Sequence, residues 1–155
     1  MRWALLPYRR YFEFRGRSRR TEYWAFALGW LIAWTAFGFV GTLLGRDGVP
    51  GADVLAWLFL LASLIPGLAV TARRLHDANR TGWWAALPFT PFFFALVLVP
   101  FGDETTESMS EWIGLTGLVC PLILLVMLAW KGTSGPNRFG ADPRNPDADL
   151  EAVFS

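Results

Sequence analysis

The chain has 155 residues, of which 54% are hydrophobic, 16% aromatic and 17% charged, and its formal net charge is +1. Soluble domains average about 25% charged residues, so this composition excludes an ordinary water-soluble surface, and its high apolar content excludes a disordered chain. One cysteine and one histidine exclude an intrachain disulfide framework and argue against a dedicated zinc site, so we expect no metal and no cofactor.

The first 22 residues mix aromatic side chains with arginines and contain no apolar run long enough for a cleavable signal peptide. We predict an interfacial amphipathic segment there, with aromatic rings at the acyl boundary and guanidinium groups among lipid phosphates. Interleaved aromatic and arginine residues also occur in nucleic-acid-binding segments. The apolar stretch that follows favours lipid, and we expect no nucleic-acid partner.

Four long stretches without Asp, Glu, Lys or Arg follow, at residues 23–45, 54–72, 81–102 and 112–130. Their lengths of 23, 19, 22 and 19 residues match the roughly 20 helical residues that cross a hydrocarbon core of about 30 Å. Lipid offers the backbone no hydrogen-bond partners, so each span must be helical. None of them has the polar face of a helix in a soluble bundle. The sequence therefore predicts an all-α fold, with one membrane domain over residues 1–155 that forms a four-helix bundle.

Prolines interrupt the later stretches: Pro66 lies in the second, Pro88 and Pro91 in the third, and Pro121 in the fourth. Each removes one helical hydrogen bond, so we expect kinks, or a helix in the third stretch that starts beyond Pro91. A helix broken around a substrate, as in transporters, is less favoured because no polar cluster accompanies these prolines.

Basic residues mark one side of the membrane. Of the 14 Lys and Arg residues, 13 lie in segments 1–22, 73–80 and 131–155, and Arg46 alone lies on the opposite side. The positive-inside rule places these three segments, and so both termini, in the cytoplasm. The opposite side carries six acidic residues and a formal charge of −5, against +6 on the predicted cytoplasmic side.

Aromatic residues lie at the ends of the predicted spans, at the headgroup level where Trp and Tyr are enriched. The predicted interface anchors are Tyr23, Trp24, Trp83, Trp84, Trp112 and Trp130. Their placement supports the span boundaries independently of the charges.

The four stretches contain no ionisable Asp, Glu, Lys, Arg or His. Proton relays and coupled transporters typically need such groups inside the membrane, so a proton-coupled pump is disfavoured. An oligomeric channel or small-solute transporter stays open as the alternative function, with oligomerisation required because four spans alone enclose little volume.

Three polar motifs flank the spans: FRGRSRRTEYW at residues 14–24, ARRLHDANRTGWW at 72–84 and WKGTSGPNRFGADP at 130–143. In this order they closely resemble the motifs of the domain of unknown function 805 family, which are small bacterial inner-membrane proteins. The resemblance covers nearly the whole chain and implies a multi-pass protein of the bacterial inner (plasma) membrane, with no implied activity. Thr81 and Ala141 stand where the resemblance leads us to expect serine or proline.

The polar side chains of these motifs are all predicted on the cytoplasmic side, and we name them the polar layer. They are Arg17, Arg20, Glu22, Arg73, Arg74, His76, Asp77, Arg80, Asn137, Arg138 and Asp142. Buried arginines need carboxylate partners, so one interpretation is a structural network in which the acids pair with arginines and lock the helix ends. The other is an anion pocket for a phosphate-bearing headgroup or an acidic segment of a partner. The charge favours anionic lipid headgroups as partners, and a second copy of the chain or another membrane protein stays open as a further partner.

His76 is adjacent to Asp77 and titrates near neutrality, which allows a hypothesis of acid–base catalysis. Adjacent helical residues do not face each other, and Ser18 and Ser134 are the only serines in the motifs, so we assign no catalytic residue. The leading interpretation is a non-enzymatic integral membrane protein that uses the polar layer for structure and for contact with lipid headgroups or a partner.

Overall fold

The computed structural model describes residues 2–45, 52–98 and 104–145 of the chain. Every named secondary-structure element in these ranges is helical, which confirms the all-α prediction. The elements in chain order are α1 (Arg2–Arg9), α2 (Arg20–Gly45), α3 (Ala52–Asp77), a 3-10 helix (Gly82–Phe89), α4 (Thr90–Leu98) and α5 (Glu104–Ala129). The end of the third predicted span at residues 99–102, the loop with Arg46, and the last ten residues of the C-terminal segment lie outside the described residues.

Three helices are long and apolar enough to cross a membrane, judged by length and composition. The qualifying stretches are Arg20–Leu43 in α2, Val54–Asp77 in α3 and Glu111–Ala129 in α5. Each of these helices has 26 residues, which corresponds to about 39 Å at a rise of about 1.5 Å per residue. α3 continues through Pro66, and α5 through Pro121, as single helices.

The third uncharged stretch differs from the continuous span predicted over residues 81–102. It begins as the 3-10 helix, and α4 starts at Thr90, directly before Pro91. Proline is tolerated at this place because the first N–H groups of a helix have no intrahelical acceptor. The Thr90 hydroxyl donates to the Leu87 carbonyl at 2.7 Å, across the junction of the two helices. The irregular geometry therefore lies where prolines interrupt the α-helical hydrogen-bond pattern.

The 3-10 helix and α4 run alongside α5 in the opposite direction. Ala85 packs in one buried cluster with Leu124 and Leu128, and further along the chain the Thr90 hydroxyl lies 3.7 Å from Cys120 Sγ. A 3-10 helix rises about 2.0 Å per residue, so the two short helices placed end to end reach about 30 Å. That is the thickness of a bilayer core. α2 and α3 pack against each other as a first pair of helices. This pair contacts the second, formed by α5 with the 3-10 helix and α4, where the 3-10 helix packs against α3.

The buried apolar core lies at one end of the molecule, close to the polar motifs. Its members and the residues packed against them are Leu75, Ala85, Leu124, Leu128, Tyr23 and Met127. Elsewhere the long helices present apolar side chains outward; Phe39 is 66% exposed, Leu61 is 61% exposed, and Phe92 of α4 is 73% exposed. Such a continuous apolar surface is unfavourable in water, so lipid or another apolar partner must cover it.

α1 is the helical part of the predicted amphipathic segment, and it packs against both α2 and α3. The Tyr8 hydroxyl lies 2.8 Å from Ser63 Oγ of α3, and the Tyr8 ring centroid lies 5.6 Å from that of Phe26 of α2. The approach to α2 is close because Gly29 has no side chain; a Cβ there would lie 3.5 Å from Ala4 Cβ. One face of α1 is therefore covered by protein, and only the other face is left for lipid.

This docking predicts a disulfide between Ala4→Cys and Gly29→Cys in a Cys120→Ser background. The 3.5 Å separation of the two Cβ positions lies within the range of about 3.5–4.5 Å seen in disulfides. Mild oxidation should therefore protect both thiols from maleimide labelling until a reductant is added. The pair Ala4→Cys and Gly38→Cys is the control, because no heavy atom lies within 4 Å of a Cβ at Gly38. Equal oxidation of both pairs would contradict the docked position of α1.

Candidate functional site

The three polar motifs meet at the end of the molecule where α2 begins and where α3 and α5 end. The Ser18 N–H donates to the Arg73 carbonyl at 3.1 Å, and the Thr133 N–H donates to the Asp77 carbonyl at 2.8 Å. The polar-layer side chains that form hydrogen bonds or ion pairs here are Arg17, Arg20, Glu22, Arg73, Arg74, His76, Asp77, Asn137, Arg138 and Asp142. Arg80 is exposed, and its side chain makes neither kind of contact with the described residues.

Asp77, at the end of α3, is the centre of this network and is 1% exposed. Its Oδ1 accepts hydrogen bonds from Arg17 Nε at 3.0 Å and Nη2 at 2.8 Å, and its Oδ2 accepts one from Arg74 Nη1 at 2.5 Å. Arg74 precedes Asp77 by three residues, a spacing that puts both side chains on one face of α3. The carboxylate thus balances two buried guanidinium groups, each of which would cost several kcal/mol to bury alone.

Arginines also cap the C-terminal end of α5, which ends at Ala129. Arg74 Nε donates to the Leu128 carbonyl at 2.9 Å, and Arg74 Nη2 donates to the Trp130 carbonyl. Arg20 Nε donates to the same Trp130 carbonyl at 3.2 Å. The last carbonyls of a helix have no intrahelical donor and carry partial negative charge, so guanidinium groups stabilise them.

The segment after α5 caps the end of α3 in turn. Thr133 Oγ1 donates to the Asp77 carbonyl at 3.1 Å, and Asn137 Nδ2 donates to the His76 carbonyl at 3.0 Å. The Asn137 Oδ1 accepts the Phe139 N–H at 2.9 Å. This segment comes so close to α3 at Gly132 that a Cβ there would overlap the Asp77 carboxylate. Glycine is therefore required at that position for close packing.

Arg17 connects the loop before α2 with the C-terminal segment. Its Nη1 donates to the Gly135 carbonyl at 2.6 Å and its Nη2 donates to the Thr133 carbonyl at 2.5 Å. Asp142 Oδ1 lies 4.0 Å from Arg17 Nη2, and Asp142 Oδ2 accepts the Gly135 N–H at 3.1 Å. Partial burial raises the pKa of Asp142, but the N–H groups of Arg144 and Gly135 and the two guanidinium groups lower that pKa more strongly. The net shift is downward, which favours the charged carboxylate.

Arg73 is fully buried, and its partners lie before and within α2. Its Nη2 donates to Glu22 Oε1 at 3.1 Å, and its Nη1 lies 3.8 Å from Glu13 Oε2. Glu13 accepts hydrogen bonds from the Arg10 guanidinium. These bonds are the main cause of the lowered pKa of Glu13. Arg73 Nε and Nη1 have no hydrogen-bond partner in the described part of the chain. Arg73 therefore depends on the Glu22 carboxylate for its charge balance.

His76 contacts a backbone carbonyl and an aromatic ring. Its Nδ1 lies 3.1 Å from the Gly16 carbonyl oxygen, and its ring stacks on Phe139 with centroids 4.0 Å apart and planes at 5°. Among the described residues no hydrogen bond joins His76 to Asp77, whose oxygens are held by arginines. No cluster of three or more His, Cys, Asp or Glu side chains in that part of the chain is placed to hold a metal ion.

Most of the predicted interface anchors lie near helix ends, whereas Trp112 lies eight residues after the start of α5, where its apolar stretch begins. Trp24, Trp83, Trp84, Trp112 and Trp130 are exposed. Trp83 has the highest exposed fraction, 85%, at the start of the 3-10 helix beside the polar layer. Tyr23 differs because it is half-buried against the apolar cluster below the polar layer.

Three cations outside the predicted polar layer line a cavity beside it. The cavity has a volume of about 290 Å³. It is lined by Arg19, Arg20, Thr21, Asp77, Lys131 and Arg144. Sequence reasoning misses Arg19, Lys131 and Arg144 because spacing alone does not separate a cation that lines a cavity from one that faces solvent. Their only sequence signal is that each lies in or beside one of the three motifs.

This fold and this site define an all-helical protein with apolar helices of membrane length and a buried arginine network at one end. The family described as "Protein of unknown function (DUF805)" has a model that matches residues 11–141. The chain belongs to this family, which confirms the resemblance that the three motifs carry.

Proteins of Escherichia coli (strain K12) are similar to the chain over nearly its whole length. Inner membrane protein YhaI is 36% identical over 144 residues, which cover 93% of this chain and 97% of YhaI. Inner membrane protein YhaH is 33% identical over 144 residues, which cover 93% of this chain and 98% of YhaH. Uncharacterized protein YiiR is 31% identical over 140 residues, which cover 86% and 88% of the two chains. No solved structure matches the chain.

Replacing Asp77 by Asn tests the centre of the network. The variant leaves the Arg17 and Arg74 guanidinium groups buried without their shared carboxylate, so we expect the free energy of unfolding to fall by about 3–5 kcal/mol. Thermal unfolding in detergent micelles measures the loss. Glu111→Gln is the matched control, since it removes an exposed carboxylate of α5 and should change stability by less than about 0.5 kcal/mol. Equal stability of the two variants would contradict the central position of Asp77.

Proposed function

We propose that this chain is a protein of the bacterial inner membrane that crosses the bilayer four times with both termini in the cytoplasm. Its relatives YhaI and YhaH are named inner membrane proteins. α2, α3 and α5 have the length and composition of membrane spans. The 3-10 helix and α4 supply the fourth crossing, because their combined rise of about 30 Å matches the bilayer core.

The contacts of the polar layer support an even number of crossings. The start of α2, the end of α3 and the end of α5 are joined by hydrogen bonds, so these ends share one side of the membrane. α2 and α3 then cross the membrane once each, in opposite directions. The chain from Gly82 to Ala129 likewise starts and ends on the same side, so it crosses the membrane twice. The shared side is the cytoplasm by the positive-inside rule, since 13 of the 14 basic residues belong to it.

Single cysteines in a Cys120→Ser background test this topology. Glu111→Cys lies 18 positions before the end of α5, about 27 Å from the polar layer, and should react with a membrane-impermeant maleimide in intact spheroplasts. Ser134→Cys lies in the exposed C-terminal segment and should react only after permeabilisation. Both positions are exposed, so each is the accessibility control for the other. Labelling of Ser134→Cys in intact cells would contradict the proposed orientation.

We further propose that the buried arginines hold the helix ends together, whereas the exposed cations around them bind anionic lipid headgroups. The observation that carries this proposal is the division of the basic residues by burial. Arg73 and Arg74 are 0% exposed, and each donates to an acceptor within the protein, Arg73 to Glu22 and Arg74 to the Leu128 carbonyl. The exposed cations that pair with no acid in the described part of the chain include Arg15, Arg80, Lys131 and Arg138.

The positions of the exposed cations favour lipid over a soluble partner. Arg80 and Lys131 each lie within three residues of an exposed tryptophan, Trp83 or Trp130. Tryptophan is enriched at the headgroup level, so these cations lie at the depth of lipid phosphates. Each such cation near an anionic leaflet contributes about 1 kcal/mol of binding free energy.

Nanodiscs of phosphatidylcholine, with or without phosphatidylglycerol, test headgroup binding. We expect the anionic lipid to raise the Tm, and added salt to reduce that gain because exposed charges are screened. Arg80→Gln with Arg138→Gln should reduce the gain by about 4–8 °C, since two lost cations correspond to about 2 kcal/mol. The pair Arg80→Lys and Arg138→Lys keeps both charges and should keep the gain. A Tm that is the same in both lipid compositions would contradict the proposal.

A further inference from the structure

We propose that the cavity beside the start of α2 binds a phosphate group with two negative charges, carried by a lipid headgroup or by free phosphate. This inference rests on the proposed function and deepens it by naming the ligand chemistry and the residues that bind it. The cavity volume of about 290 Å³ lies at the lower end of small-molecule sites, which span about 300–1,000 Å³. It therefore fits a phosphate group with few further atoms.

The charge balance of the cavity favours a dianion. Four of its six lining residues are cations, and the one carboxylate, Asp77, is already paired with two guanidinium groups that lie outside the lining. Arg144 Nη2 lies 3.7 Å from Asp77 Oδ2 and Arg144 Nε lies 3.6 Å from Asp142 Oδ1, both too far for a hydrogen bond. The Arg144 N–H groups are therefore not consumed by these acids. A dianion balances more of the remaining positive charge than a phosphodiester does.

Two of the cations are held in place in a way that leaves donors available. Arg19 Nε donates to the Pro143 carbonyl at 2.5 Å, and Arg20 Nε donates to the Trp130 carbonyl at 3.2 Å. Neither guanidinium has a hydrogen bond from its terminal Nη atoms to any described residue. A guanidinium donates to phosphate oxygens through such N–H groups, and fixing it beforehand lowers the entropic cost of binding.

The beginning of α2 adds to these side chains. Arg20 and Thr21 are the first two residues of this 26-residue helix, whose first N–H groups have no intrahelical acceptor and attract anions. Thr21 also lines the cavity, and its side chain carries a hydroxyl donor. Glu22 is the one acid in this first turn, and it is buried against Arg73, which leaves the cavity positive.

The place of the cavity allows two sources of phosphate. Lys131 follows Trp130, which comes directly after the end of α5 and is 67% exposed, so the cavity lies at the expected headgroup level. A phosphomonoester headgroup and inorganic phosphate offer the same oxygens and charge. Phosphatidic acid and inorganic phosphate are therefore the two probes.

The experiment uses the full chain in phosphatidylcholine nanodiscs, with calorimetric titration of inorganic phosphate in one arm. The other arm adds phosphatidic acid to the nanodiscs over a series of lipid fractions. Its response is the rise in Tm beyond that given by an equal fraction of phosphatidylglycerol. Lys131→Gln with Arg144→Gln should weaken the response at least about tenfold, since each lost charged hydrogen bond accounts for a factor of that order. The matched control, Arg80→Gln with Arg138→Gln, removes the same charge from the same end but not from the cavity. It should lower the Tm gain with phosphatidic acid and with phosphatidylglycerol alike, so the excess gain with phosphatidic acid and the affinity for inorganic phosphate should change by less than about twofold.

A response to phosphatidic acid alone assigns the ligand to a lipid, and a response to inorganic phosphate assigns it to a free phosphate. Either result supports the site when the response is lost in Lys131→Gln with Arg144→Gln and kept in the control variant. Equal weakening by the two variant pairs, or no response to either probe, would overturn the site. The gain of Tm with phosphatidylglycerol would persist in that case, so the proposed function is judged separately. If the double variant fails to fold, Lys131→Gln alone replaces it, because that exposed side chain has no polar partner among the described residues.

Discussion

A guanidinium group taken out of water needs a counter-charge and acceptors for its five N–H donors, and this requirement organises the end of the molecule where the polar motifs meet. Arg17, Arg73 and Arg74 have side chains that are at most 1% exposed. Asp77 and Glu22 supply the counter-charges, and backbone carbonyls at the end of α5 and in the segment after it accept further donors of Arg17 and Arg74. Because these acceptors come from distant parts of the chain, satisfying the arginines fixes the helix ends relative to one another.

Contacts between the apolar faces of the long helices do less to fix the helices relative to one another than the polar network does. Lipid tails are as apolar as leucine, so burying a leucine between two membrane helices gains little over leaving it in lipid. The buried apolar cluster around Leu75 and Leu128 lies directly beside the polar network, and the outward faces of the long helices are exposed. In the described part of the chain, buried side chains are therefore concentrated at the end with the polar network. That network has no equivalent among the described residues of the other end.

The same motifs provide both the structural arginines and the cations available to a ligand. Arg74 is enclosed between α3 and α5, whereas Arg20 both caps α5 through its Nε and lines the cavity. A buried arginine has no N–H group that a headgroup can reach, so the proposed binding falls to its neighbours. This arrangement couples the two proposed roles, because any ligand in the cavity touches residues that also hold the end of α5.

The sequence by itself determined the all-helical class, the family, and three of the four predicted spans as long apolar helices. Absence of charge over about 20 residues is a local property that lipid exposure turns directly into a helix, so composition indicates where the long helices lie. It does not give their ends, since α5 begins at Glu104 and α3 continues to Asp77. Only the tertiary structure decided that the third stretch begins as a 3-10 helix, that α1 docks at Gly29, and that Arg73 is buried while Arg80 is exposed. These outcomes depend on contacts between residues far apart in the chain, such as Arg17 with Asp77. The spacing of residues along a motif does not predict which distant group each side chain contacts.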